Sequence, residues 1–238
     1  GIELDGFSPT VRHTTFKVHN ACATRRNDVC EQIDVTSAYH RGEIPADMPP
    51  MYARPPRRAV PGKGTRFQKY DSRGIPIVYK MKVPTYGQTM AGPYWYQTLM
   101  RFLVSKRGYE QSDFDPCYVW KNLPNGTRID ISWYVDDGWV THQDNAESNA
   151  EIEAINAEFP ITRKPGKYFL GCNVDAERGR CKLSMRTYCE ALAEKYLPKP
   201  VSEYPVYGTP STDELRDAYK EALERDESNL LDKVGRAR

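Results

Sequence analysis

Acidic side chains that end apolar strands are the residues in this chain best suited to chemistry. The run Trp133-Tyr134-Val135-Asp136-Asp137-Gly138-Trp139-Val140 sets two carboxylates between two apolar stretches. Asp-Gly is a favoured two-residue hairpin turn, so a plain turn is the bland reading of this spot. Its setting argues for more, because Asp136 closes an apolar strand and an aromatic residue follows almost at once. A third acid stands in a matching place: Asp34 ends the run Val29-Cys30-Glu31-Gln32-Ile33 and is followed by Val35-Thr36-Ser37-Ala38-Tyr39. If the two strands are neighbours in one sheet, Asp34 and Asp136 meet at the same edge. Like charges about 4 Å apart repel by roughly 4 kcal/mol at an effective dielectric near 20, so such a cluster calls for divalent cations. Two Mg²⁺ ions about 3.5–4 Å apart, with Mn²⁺ as the alternative, are the arrangement that phosphoryl transfer uses to bind the attacking and leaving oxygens.

Elements must position these acids, and periodicity predicts them. Ser8 with Pro9 reads as an N-cap and first helical residue, with Val11, Thr15, Val18 and Cys22 recurring at helical spacing. A strand follows over Val29 to Asp34, and a Pro/Gly-rich loop or loosely paired hairpin over much of 45–76. A helix is expected from Tyr94 to Lys106, with Trp95, Leu99, Phe102 and Leu103 on one side. Ile129, Ile131, Trp133 and Val135 alternate with Asp130, Ser132 and Tyr134, which predicts a strand with one buried face and a return partner over Gly138 to His142. Further expectations are a helix from Asn145 to Phe159 burying Ser148, Ile152, Ile155 and Phe159, and strands at 167–174 and 180–185. Helices at 186–197 and 212–225 close the chain, the last opened by the capping box Ser211-x-x-Glu214. Helices and strands without a βαβ period predict an α+β fold with an antiparallel sheet.

Composition sets bounds on function. The 238 residues carry 34 Lys+Arg against 32 Asp+Glu, and 39% are apolar, which suits a globular protein and is too apolar for a disordered one. The longest uncharged stretch, Val83 to Met100, is broken by Pro84, Gly87, Gly92 and Pro93, so no membrane span is expected. Six scattered cysteines without a Cys-x-x-Cys pair fit neither a zinc ribbon nor a disulfide scaffold, and predict reduced, mostly buried thiols in an intracellular protein. The four histidines form no ligand spacing. Charge is uneven: ten basic residues against three acidic ones lie between Arg41 and Met90, a local net of +7, interleaved with Tyr52, Phe67, Tyr70 and Tyr79. Basic plus aromatic is the composition that tracks phosphates and stacks bases, although a solvated surface loop has it too. The first residue is Gly and no signal-peptide pattern follows, so a piece of something longer or a processed product is expected.

Five motifs occur in one order: Ile33-Asp34-Val35-Thr36-Ser37-Ala38-Tyr39, Tyr86-Gly87, Trp95-Tyr96, Tyr134-Val135-Asp136-Asp137 and Tyr168-Phe169-Leu170-Gly171. Phe7-Ser8-Pro9-Thr10-Val11, Arg41-Gly42-Glu43 and Asp115-Pro116-Cys117-Tyr118 agree with them. The series resembles the reverse transcriptase domain of copia-type LTR retrotransposons over about residues 7–210.

That resemblance implies a polymerase palm with an antiparallel sheet packed on helices, partial fingers and the start of a thumb. Residues 1–210 would form the palm and partial fingers, and 211–238 a helical segment leading toward thumb or connection. Asp34 and Asp136 would be the principal metal ligands, with Asp137 weaker beside them, for transfer of dNTPs to a primer 3′-hydroxyl. Tyr39 would form an aromatic floor under the incoming sugar and exclude a 2′-hydroxyl. Thr85 to Ala91 would touch the nascent base pair; the family's glutamine falls at Met90 here, so either Gln88 substitutes or contact with the incoming nucleotide is weakened. Tyr134, Lys80 and Lys82 would help bind substrate, and Phe169, Leu170 and Gly171 would grip the primer. Expected partners are an RNA or DNA template with its primer, dNTPs and other parts of a polyprotein or larger assembly, in a cytoplasmic particle or the nucleus. Because family members carry finger sequence ahead of Phe7, a second expectation stands beside the first: a retrotransposon-derived, non-polymerising structural or nucleic-acid-binding component. A third is another two-metal phosphotransferase or nuclease.

Overall fold

Alternating apolar residues around the acids build the middle of a six-stranded sheet. A computed structural model describes residues 6–54, 70–177, 179–203 and residue 217. In chain order its elements are α1 (His13–Arg26), β1 (Val29–Val35), β2 (Tyr52–Ala53), β3 (Tyr79–Lys80), α2 (Ala91–Met100), β4 (Glu110–Gln111), β5 (Tyr118–Asn122), β6 (Arg128–Tyr134), β7 (Asp137–His142), α3 (Ala146–Glu158), β8 (Ile161–Pro165), β9 (Tyr168–Phe169), β10 (Cys172–Glu177), β11 (Arg180–Ser184) and α4 (Arg186–Tyr196). The main sheet runs β4-β5-β6-β7-β1-β8, a second runs β11-β10-β9, and β2 pairs with β3. All these pairs are antiparallel, in keeping with the expected α+β class. The chain divides into two compact units, Gly1–Thr187 and Tyr188–Arg238. The expected boundary near residue 210 and the helix over 212–225 lie outside the described residues.

The centre of the first unit is apolar on one side of the main sheet and mixed on the other. Ile33, Ile131, Trp133 and Val140 join Trp95, Leu99, Ile152, Ile155 and Phe159 in a single buried cluster. On the opposite face Phe16 of α1 meets Trp139 edge-on, ring centroids 5.3 Å apart, and packs on Phe169 at 5.2 Å. Helix α3 starts where predicted, because the Asn145 side chain accepts the Ser148 N–H at 2.9 Å. Its four expected core residues are buried.

Several expectations are corrected. Strand β6 is buried on both faces from Ile129 to Trp133, because α1 covers the side that carries Asp130 and Ser132. The first helix begins at His13, not at Pro9: the Val11 N–H donates to the Trp133 carbonyl at 3.1 Å and the Arg12 N–H to Asp115 at 2.9 Å, holding that segment outside the helix. Its buried face is Phe16, His19, Asn20 and Ala23, while Val18 and Cys22 face solvent. The helix from Tyr94 starts earlier, at Ala91, and its last turn, Arg101–Lys106, widens to a π-helix. The strand at 167–174 is broken at Leu170-Gly171. Of the six cysteines, all free, Cys117 and Cys172 are buried, Cys30 and Cys181 half-buried, and Cys22 and Cys189 exposed.

Candidate active site

Antiparallel register decides where the acids go. Strand β1 lies beside β7 with Ile33 opposite Gly138 and Asp34 opposite Asp137. Strand β6 pairs with β7 through Tyr134 and Asp137, so the two turn residues are Val135 and Asp136, not Asp137 and Gly138. The Val35 N–H donates to the Asp136 carbonyl at 3.0 Å, tying the end of β1 to this turn. All three carboxylates therefore end at one sheet edge, and each is half-buried. Strand parity puts Gln32, Asp34, Tyr134 and Asp137 on one face. There Gln32 Nε2 donates to Asp137 Oδ1 at 3.1 Å. Burial pushes the Asp136 carboxyl above its ordinary range and the charges of Asp34 and Asp137 push the same way, against backbone N–H groups that lower it.

Two further groups converge on this edge. After β1 the chain turns through Ser37, whose φ is 57°, into a single 3₁₀ turn, Ala38–Arg41, that carries Tyr39. The Tyr39 ring lies 4.9 Å from that of Tyr86, and its phenol is raised by burial first, then by the charges of Asp136 and Tyr86. Between β9 and β10, Phe169 pairs with Cys172, leaving Leu170 (φ 49°) and Gly171 (φ 76°) as a two-residue turn with positive φ at both positions. That is the primed hairpin geometry. A cavity of about 390 Å³ is lined by His13, Tyr134, Asp137, Phe169, Leu170 and Gly171.

Backbone strain gathers at the same places. The described non-glycine residues with left-handed φ are Asn27, Ser37, Val135 and Leu170. Three of the four directly precede or form the segments bearing Tyr39, Asp136 and Gly171. Such residues cost on the order of 1–3 kcal/mol each and persist only where their surroundings hold them.

No hydrogen bond or ion pair among the described residues joins Lys80, Lys82 or Gln88 to the acids. Strand β3 holds only Tyr79–Lys80, so Lys82 lies past its end. The Gln88 amide is used within its own loop: Oε1 accepts the Thr85 N–H at 3.0 Å and Nε2 donates to Met81 Sδ at 3.0 Å. Sequence reasoning missed Gln32, His13 and the hydrogen-bonding role of Trp95. Gln32 could have been found by strand parity, two residues ahead of Asp34.

Among the described residues no group of three or more His, Cys, Asp or Glu side chains is arranged to hold a metal ion. The donor chemistry at the edge nevertheless suits a hard cation. Mg²⁺ usually takes one or two carboxylates and completes its shell with water and substrate phosphates. Asp136, raised by burial and by two neighbouring anions, is a group whose charged form a cation would stabilise.

Residues 2–202 match the family described as reverse transcriptase (RNA-dependent DNA polymerase). The chain belongs to this family. Similar to it are the retrovirus-related Pol polyprotein from transposon TNT 1-94 of Nicotiana tabacum, 27% identical over 209 residues, covering 85% of this chain and 15% of that polyprotein. The transposon Ty1-DR4 Gag-Pol polyprotein of Saccharomyces cerevisiae is 28% identical over 145 residues, 61% of this chain and 8% of that protein. The Ty1-NL2 Gag-Pol polyprotein of the same yeast is 26% identical over 152 residues, 64% and 8% respectively. The chain thus spans no more than 15% of the length of these three relatives. They are copia-type elements, so the reverse transcriptase resemblance drawn from the ordered motifs holds. Reverse transcriptases generally use divalent metal ions. No helix among the described residues is long and apolar enough to cross a membrane.

Proposed function

We propose that this chain is the polymerase core of a retrotransposon Pol polyprotein and catalyses RNA-directed transfer of dNTPs to a primer 3′-hydroxyl. The observation that carries the reading is the register that sets Asp34 opposite Asp137, with Asp136 in the adjoining turn, beside the cavity lined by Phe169, Leu170 and Gly171. Asp34 and Asp136 hold the metals in this reading, with Asp137 oriented by Gln32 beside them. Divalent cations bound there would lower the pKa of the primer hydroxyl and neutralise charge on the departing pyrophosphate. The main sheet with α1 to α3 serves as the palm, and the β2–β3 pair as part of the fingers. Tyr39 supports the sugar of the incoming nucleotide, and Tyr134 faces the primer terminus held by the Phe169-Leu170-Gly171 turn. Lys80 and Lys82 contact phosphates from the finger side.

Primer extension on an RNA template, with Asp136→Asn as the variant, tests this. Because folding raises the Asp136 pKa, its ionised form costs stability at neutral pH. The variant should therefore melt at the same or a higher temperature while activity falls at least on the order of a hundredfold. Equal activity in Asp136→Asn would remove the ligand assignment. A parent chain that binds primer–template without extending it would favour the non-polymerising component.

A further inference from the structure

A left-handed, β-branched residue inside the catalytic turn needs a restraint, and one buried side chain supplies it. Val135 has φ 59°, a region that disfavours residues with a Cβ, and β-branched ones most of all. The Trp95 indole Nε1–H donates to the Val135 carbonyl at 2.8 Å. Trp95 itself cannot drift: it is 1% exposed, its ring meets Phe159 edge-on at 5.1 Å, and Gly42 approaches so closely that a Cβ there would lie 3.0 Å from its backbone nitrogen. The contrast with the other fully buried tryptophans is informative. Trp133 and Trp139 leave their indole N–H groups without a hydrogen-bond partner among the described residues. Of these three, Trp95 alone spends its donor, on the strained peptide directly before Asp136.

We infer that Trp95 is a positioning residue of the polymerase site, clamping the Val135 peptide so that the Asp136 carboxylate is held toward Asp34. The inference rests on the polymerase reading for its catalytic part, while the clamp itself is a property of the turn. From the α2 side the indole N–H fixes the Val135 carbonyl, and from the β1 side the Val35 N–H fixes the Asp136 carbonyl. Between them they hold two of the turn's three peptides, the ones on either side of the Asp136 Cα. Releasing the first lets Val135 relax toward the right-handed region and swings the carboxylate away.

The test uses the full 238-residue chain and two readouts. Trp95→Phe keeps a ring against Phe159 and removes the donor. Replacement of the Trp95 indole by benzothienylalanine keeps the bicyclic shape with sulfur for N–H, and serves if the phenylalanine variant folds poorly. In either, amide hydrogen exchange at Asp136 and Asp137 should quicken about tenfold, with Ile131 and Val140 unchanged. Primer extension should lose roughly ten- to a hundredfold in kcat, with KM for dNTP moving less than about threefold. Adding Val135→Gly, which tolerates the left-handed region, should return most of the lost kcat. A purely structural role for Trp95 would not be rescued by that second change. Unchanged exchange at the turn, or a double variant no better than the single, overturns the clamp. Faster exchange in a chain whose parent shows no extension leaves the clamp standing and overturns the polymerase reading instead.

Discussion

Tyr39 packs against the core and against Tyr86 and lies within the field of Asp136, so its half-buried ring has a fixed place. In the proposed polymerase site a ring beside the acids would restrict the sugar that can sit there, and the 2′-hydroxyl is the one group that separates RNA from DNA precursors. Tyr39→Val should therefore leave dNTP incorporation nearly intact and weaken the preference for dNTPs over rNTPs by about tenfold to a hundredfold. Competing dNTP and rNTP incorporation at one template position measures it, and an unchanged ratio would assign Tyr39 to packing alone. The position of Tyr39, five residues after Asp34, was legible because strand, turn and ring follow one another locally. Gln88 shows the opposite case. Its side chain turns to its own loop, where Oε1 accepts the Thr85 N–H and Nε2 donates to Met81 Sδ, leaving one N–H and one lone pair for other partners. A polar residue in a loop carries no sequence mark of whether it serves the loop or a ligand.

Helix α1 shows what hydropathy hides at the level of an element. Its apolar residues Val18 and Cys22 point to solvent, and its buried stripe includes His19 and Asn20. The reason lies across the contact: β6 and β7 present Ser132 and Thr141, and His19 meets both hydroxyls, Nδ1 at 2.8 Å and Nε2 at 2.7 Å. A helix that docks on hydroxyls buries polar residues, so the apolar stripe has the wrong phase. The same contact explains why Asp130 can be buried, held by Arg26, Arg128 and the Tyr118 hydroxyl. Gly138 is a second instance. It lies in the return strand as expected, but within β7 a Cβ there would fall 2.7 Å from Ile33 and 2.9 Å from Trp133. Long-range pairing required that glycine, which a local pattern cannot express. Docking of α1 should also be pH-sensitive. Burial lowers the His19 pKa from 6.5 to about 4, with Arg26 and Arg128 lowering it further and Asp130 opposing. A depressed folded pKa means the unfolded chain takes the proton first. The stabilisation is thus complete above about pH 6.5 and is lost as pH falls toward 4, about 3 kcal/mol in all. Urea midpoints for the parent and His19→Gln between pH 7 and 4 check this: the variant should be weaker at pH 7 and flatter in pH. Parallel curves would remove His19 as the source.

For the molecule as a whole, the net charge of +2 hides an uneven spread of cations, some held in internal ion pairs and ten crowded into one window. In the sheet and its helices several are paired internally: Arg26 and Arg128 with Asp130, Arg163 with Glu31, and Arg107 and Lys121 with Glu151. The window from Arg41 to Met90 is unlike this. Among its described cations Arg41 bonds the Thr36 carbonyl and Arg73 pairs loosely with Asp71 at 3.8 Å, while Lys80 and Lys82 form no ion pair with any described residue. Arg57, Arg58, Lys63, Arg66 and Lys69 lie outside the described residues. Composition made the uneven spread legible in part, since the excess was visible, but only the structure shows which cations are paired with acids. An unspent cation can release counterions from nucleic acid, each neutralised phosphate adding roughly 0.7–0.9 to the slope of log affinity against log salt. If five of the ten window cations engage, the slope should be about −4. Replacing Lys80 and Lys82 by Gln should flatten it by about 1.5 and weaken binding equally for unrelated sequences, because phosphate contacts carry no base information. Fluorescence anisotropy of a primer–template between 50 and 300 mM salt reads both numbers. A slope unmoved by the double substitution would send the nucleic-acid track away from the β2–β3 pair and onto other cations of the chain.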